Sequence, residues 1–114
     1  MTYKPLLFQK RFIPLILDGI KTQTRRPLEE NNIKVGDVIP LRTPRQKTIH
    51  GLIQIVKVYE QPIGEISQEE VEREGFQRLA EFKKAWGRIY GDTNGREIIR
   101  VYEFRVISMR RSQP

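Results

Sequence analysis

The run from His50 to Tyr59 constrains this chain more than any other stretch. Its apolar residues, Leu52, Ile53, Ile55, Val56 and Val58, do not alternate cleanly with polar ones. A strand with that pattern is at least partly buried on both faces, so it needs neighbours in a sheet and cover on either side. A later run, Ile98 to Ile107, puts Tyr102, Phe104 and Val106 on one face of a second strand.

The rest of the chain supplies shorter pieces. Leu6 to Phe8 reads as a short apolar strand. Ile13, Ile16 and Leu17 recur at helical spacing, with Pro14 tolerable in the first turn and Gly19 placed to end the helix. Thr22 to Arg26 is a strand closed by Pro27, and Lys34 to Asp37 turns the chain into a strand from Val38 to Arg42. Pro40 cannot donate to a ladder, so that strand belongs at an edge or at a bulge. Thr43 to Thr48 is a basic loop.

Ser67 and Glu70 form a capping box that opens a short helix, expected to stop at Gly75. A second helix carries Leu79, Phe82, Trp86, Ile89 and Tyr90 on one face, and Asp92 to Gly95 is a turn. At 114 residues this is one domain, 1–114, of α+β class. Short strands with two or three helical segments suggest a small mixed barrel, followed by a loose basic tail from about 108 that carries Arg110 and Arg111.

Charge gives the first indication of function. Lys and Arg number 21 against 14 Asp and Glu, a formal charge of +7. A small basic domain attracts polyanions, because neutralising phosphates releases their counterions. Lys21 to His50 is basic and Glu60 to Glu81 is acidic, so the molecule is electrostatically two-sided.

Several chemistries fall away. The chain has no cysteine, so disulfides, thiolate nucleophiles and zinc–thiolate sites are excluded. His50 is the single histidine, so no histidine cluster can hold a metal, and a strand-start histidine is usually structural. Neither a P-loop nor a dinucleotide glycine fingerprint is present. No cofactor is expected. Met1 to Lys10 is too polar and too short for a signal peptide, and no segment is long enough to span a bilayer. The expected compartment is the cytoplasm.

The segment Phe8 to Arg26 carries the most chemistry. Strand alternation sets Thr22, Thr24 and Arg26 on one face, with Gln23 and Arg25 opposite. Threonines favour strands on propensity alone, whereas an arginine fork suits a phosphate or carboxylate. Trp86 and its helical partners read as core rather than as a platform for stacking bases.

The run Gly19-Ile20-Lys21-Thr22-Gln23-Thr24-Arg25-Arg26, followed by Val35-Gly36-Asp37, resembles the signature of the ASCH domain family. Glu72 to Phe76, then Phe82 and Trp86, and the closing Val101 to Phe104 are similar to the same family, so the resemblance spans roughly Leu6 to Ile107. It implies a PUA-like β-barrel with helices at its rim and a cleft for RNA or a modified nucleoside. Part of the family is similar to amidohydrolases that remove the acetyl group from N(4)-acetylcytidine. Their lysine, their threonine three residues later and their glutamate at the end of a short helix carry over onto Lys21, Thr24 and Glu74.

That trio makes chemical sense. A threonine hydroxyl must lose its proton to attack an amide. A neutral Lys21 would accept it, and burial together with Arg25 and Arg26 would keep the amine neutral. Glu74 in its acid form would protonate the departing nitrogen, and Arg26 would steady the oxyanion. Glu74 stands at the negative end of its helix, where an acid is disfavoured.

Three functions follow as expectations. The first is an RNA- or nucleoside-binding module with Arg11, Arg25, Arg26, Arg42, Arg45 and Lys47 on phosphates. The second is an N(4)-acetylcytidine amidohydrolase, and the third a ribonuclease. No membrane partner is expected, and no protein partner is indicated.

Overall fold

A computed structural model describes residues 6–28 and 31–109. The β part is a four-stranded sheet built from β1 (Gln23–Pro27), β2 (Val38–Pro40), β3 (Gly51–Pro62) and β4 (Ile98–Met109). Its order is β1-β4-β3-β2 and all pairings are antiparallel. The helices are α1 (Ile13–Leu17), α2 (Gln68–Arg73) and α3 (Leu79–Tyr90). The α+β class and the three helices agree with expectation.

β3 and β4 pair along almost their full length and form the centre of the sheet. The mixed apolar pattern of β3 has a structural counterpart: its register with β4 shifts between Ile55 and Lys57. A bulge there lets one strand change which side chains it buries. β2 lies at an edge, as Pro40 requires. Leu6 to Phe8 is not a strand; Phe8 N–H makes one backbone bond to Arg42 C=O, too little for a ladder. β4 runs on to Met109, past the position expected to begin the tail, while Arg110 and Arg111 lie outside the described residues.

Two apolar clusters sit on the two faces of β4. Tyr102 and Phe104 join Phe8, Ile13, Ile16, Ile39 and Ile55 on one side. Ile99 joins Val71, Phe82 and Trp86 under α2 and α3 on the other. Phe8 meets Phe104 edge-on at 5.6 Å, a favourable aromatic geometry.

The helix ends place the site. α1 is followed by Gly19 at φ 76° and α2 by Gly75 at φ 97°, left-handed conformations that glycine adopts without strain. After Gly19 the chain doubles back, and the amides of Ile20 and Lys21 both donate to Leu15 C=O. Thr22 then bridges two elements: its N–H donates to Arg73 C=O at the end of α2, and its C=O accepts from Phe104 N–H. Among the described residues no helix is long and apolar enough to cross a membrane.

Candidate active site

β1 is an outer strand, with Thr24 opposite Tyr102 and Arg25 opposite Val101 in β4. Neighbouring strand residues face opposite sides of a sheet. Thr24 and Arg25 nevertheless both contribute to the wall of one cleft, of about 270 Å³, although the Arg25 side chain itself is fully buried. Lys21, Glu74, Arg26 and Arg11 line the same cleft, as do Phe12, Phe76 and Trp86.

The Thr22 bridge to the end of α2 brings Lys21 against Glu74. Lys21 is 3% exposed, and its Nζ donates to Gln23 C=O at 3.0 Å, to Glu74 C=O at 2.6 Å and to Glu74 Oε1 at 3.3 Å. Nζ also lies 4.6 Å from the centre of the Phe12 ring. Burial pushes the amine below the ordinary lysine range; the Glu74 carboxylate opposes that, and Arg26 and Arg25 add to it. The irregular chain after Gly19, rather than strand alternation, is what delivers Lys21 to the cleft.

Arg25 has no exposed side-chain surface. Its Nη1 donates to Glu74 Oε2 and to Gln23 Oε1, each at 3.0 Å, its Nη2 to Glu70 Oε2 at 2.6 Å and its Nε to Gln61 Oε1 at 2.8 Å. Glu74 is thus clasped between Lys21 and Arg25, which removes the objection to an acid at the end of α2. Glu70 also accepts from Tyr59 Oη at 3.1 Å while completing the Ser67 capping box. Burial raises the Glu70 carboxyl, but the Ser67 amide, the Arg25 charge and the Tyr59 hydroxyl outweigh it and hold the group low.

On the other face of β1, Arg26 Nε donates to Thr24 Oγ1 at 3.1 Å and Nη2 to Leu7 C=O at 2.7 Å. Arg11 lies over the rings of Phe12 at 4.5 Å and Phe76 at 5.4 Å. The fold therefore gathers Lys21, Thr24, Glu74, Arg11, Arg25 and Arg26 around one space.

It does not gather the basic loop. Arg42, Arg45 and Lys47 are absent from the cleft wall, which the loop reaches only through Pro44. Arg45 and Lys47 are exposed, while Arg42 Nε is buried without a partner among the described residues. His50 is not in the cleft wall, and no group of three or more His, Asp or Glu side chains that could hold a metal occurs among the described residues.

Sequence reasoning left out Glu70, Gln23, Gln61 and Tyr59. Glu70 and Glu74 stand four apart, one helical turn, and that spacing is the signal that both carboxylates face the same way. Trp86, expected in the core, is only 5% exposed but also walls the cleft, and its Nε1 has no partner among the described residues. Ile89 and Tyr90, read as part of the same buried face, are exposed and continue that wall into solvent.

No family model and no curated protein matches the sequence. Solved structures do. An ASCH domain from Lactobacillus crispatus aligns with a TM-score of 0.74 at 19% identity, over 83% of this chain and 69% of that one. A protein from Enterococcus faecalis aligns at 0.68 and 20% identity, over 91% and 74%. A substituted ASCH protein from Zymomonas mobilis aligns at 0.64 and 16% identity, over 88% and 66%. The chain has the ASCH fold. At these identities the likeness establishes architecture, so what the ASCH cleft does here must be argued from its own side chains.

Proposed function

We propose that the cleft binds an acylated pyrimidine nucleoside and hydrolyses its exocyclic amide, N(4)-acetylcytidine being the model substrate. The observation that carries this is the Lys21 amine: buried, lowered in pKa and clasped to Glu74 in a cleft that also contains Thr24. A solvated lysine is a poor base near neutral pH, and burial corrects that.

Thr24 Oγ1 attacks the acetyl carbon and its proton passes to neutral Lys21. Arg26, already bonded to Thr24 Oγ1, is the cation assigned to the negative charge that develops on the carbonyl oxygen. The C–N bond then breaks as the exocyclic nitrogen takes a proton from Glu74, releasing cytidine and leaving acetyl-threonine. Water cleaves that ester to acetate and restores the hydroxyl. Moving one proton from Lys21 to Glu74 across their 3.3 Å contact creates base and acid together. Arg25 and Glu70 are positioning residues: Arg25 holds the Glu74 carboxylate, and Glu70 holds Arg25.

Chromatography of N(4)-acetylcytidine incubated with the protein tests the proposal. Cytidine and acetate should appear with wild type and be absent with Thr24→Val, which keeps the β-branched shape and removes the hydroxyl. Equal rates in the two proteins would remove the nucleophile.

A second reading, RNA held across the cleft mouth, draws support from Pro44 in the cleft wall, because the exposed Arg45 and Lys47 follow it closely in the chain. Such binding should weaken with salt by about 0.7 in log affinity per log salt for each neutralised phosphate. Salt-independent binding would end it. Cleavage of the strand, the third expectation, has no separate feature in its favour.

A further inference from the structure

The cleft does not stop at Lys21 and Thr24. It opens into a second groove, of about 310 Å³, and the two share Gln9, Arg11, Phe76, Ala85 and Ile89 as a common wall. The added residues are Glu81, Lys84 and Arg88, all on the exposed side of α3.

Lys84 and Arg88 stand four residues apart, so they are neighbours on the helix surface, and like charges at that spacing repel. Neither joins an ion pair among the described residues, and Glu81 is the one carboxylate in the groove. Arg11 completes the set. Its guanidinium lies over the Phe12 and Phe76 rings, and its Nε donates to Gln9 Oε1 at 3.2 Å, at the junction of cleft and groove. A planar fork beside two long-stemmed cations matches phosphate oxygens. Ile89, 56% exposed, adds an apolar surface between them that suits a sugar or a base.

We infer that Arg11, Lys84 and Arg88 form a phosphate track leading out of the cleft, so that the substrate class is a phosphorylated nucleoside or an RNA strand rather than a free nucleoside. This rests on the proposed reading of the cleft for the identity of the base, but the track can be tested without it. A free nucleoside fills the cleft alone and leaves three cations facing water. A phosphate attached to that nucleoside would lie towards the track.

Three substrates separate the possibilities: N(4)-acetylcytidine, its 5′-monophosphate and a short single-stranded RNA containing it. At low salt the monophosphate should gain about tenfold in kcat/KM over the nucleoside, about 1.4 kcal/mol, as one charge-assisted hydrogen bond allows. The RNA should gain more. The Lys84→Ala/Arg88→Ala double variant should lose those gains and keep the nucleoside rate; alanine is a good helix residue, so folding is preserved. A gain for the monophosphate assigns the track to a nucleotide, and a gain for RNA alone assigns it to a polymer. Equal kcat/KM for all three substrates, or an unchanged gain in the double variant, would overturn the track.

If none of the three is hydrolysed, fluorescence anisotropy of labelled single-stranded RNA still decides. Binding that the double variant loses, with the salt slope reduced by about 0.7 for each phosphate no longer neutralised, supports the track while the hydrolase reading fails. Absent binding, undiminished binding by the variant, or equal displacement by polyglutamate would overturn it.

Discussion

Lys21 and Arg25 at the β1 edge and Arg45 and Lys47 on the loop beyond Pro44 are the same kinds of residue, and the fold treats them in opposite ways. The first two are each 3% exposed and are locked onto Glu74 and Glu70. The other two are exposed and join no ion pair among the described residues. Desolvating a charge is so unfavourable that a buried cation must carry its counter-ions with it. A solvated cation has no such obligation and remains available to an outside anion. Charge count alone puts all four on phosphates; burial commits the first pair to internal counter-ions and leaves the second in solvent.

The largest effect expected from breaking the buried half is on rate. Lys21→Met keeps the bulk of the side chain, removes the base and leaves Glu74 paired with Arg25. Hydrolysis of acetylcytidine should fall by about 10²–10⁴-fold in steady-state assays while the protein stays folded. Lys21→Arg should be as inactive, since arginine keeps its proton at any working pH. Activity in either variant would show that the buried cation is structural only.

Stability gives the next effect. Glu74→Gln removes the carboxylate that Lys21 and Arg25 share, and unfolding in urea should show a loss of about 3–5 kcal/mol. Phe104→Ala, in the apolar cluster on the other face, should lose a similar amount, about 3–5 kcal/mol, for a different reason: an unfilled cavity. If Glu74→Gln left stability unchanged, the clasp would not be the constraint that fixes the β1 edge to α2.

A smaller effect appears in pH dependence. Lys21 titrates lower in the fold than its ordinary 10.5, so between the folded and unfolded values the unfolded chain binds the extra proton. Stability should therefore rise with pH across that window, with the full penalty present below it. Lys21→Met should flatten the rise, and the rate of hydrolysis, which needs the one proton that Lys21 and Glu74 share, should fall on an alkaline limb below 10.5. An alkaline limb at or above the ordinary lysine value would contradict a buried base.

The smallest effect belongs to the exposed half. Arg45→Ala/Lys47→Ala should leave the melting temperature where it was, because these side chains make no ion pair among the described residues. Only the salt dependence of RNA binding should change, its slope falling by about 0.7 for each phosphate these cations neutralise. A marked loss of stability would mean that the loop is as tightly built in as the clasp.

Local sequence was enough for much of the frame. Ser67 and Glu70 announce the start of α2, Gly19 and Gly75 the ends of α1 and α2, and Pro40 the edge position of β2, because each acts on groups within a few residues of itself. Alternation along β1 likewise separates Arg25 from Thr24 and Arg26. It could not show that both would stand at the wall of one cleft, since that depends on what the fold packs against β1.

The candidate trio Lys21, Thr24 and Glu74 came from family resemblance and residue chemistry, and the fold brings all three to one cleft wall. The clasp around it was not, because Lys21 and Arg25 lie 53 and 49 positions from Glu74. Only the tertiary fold, by bonding Thr22 to the end of α2, decided which cations would be buried and which left in water. The physical reason is range: caps, turns and alternation are set by neighbours in the chain, whereas desolvation is set by whatever the whole fold brings alongside.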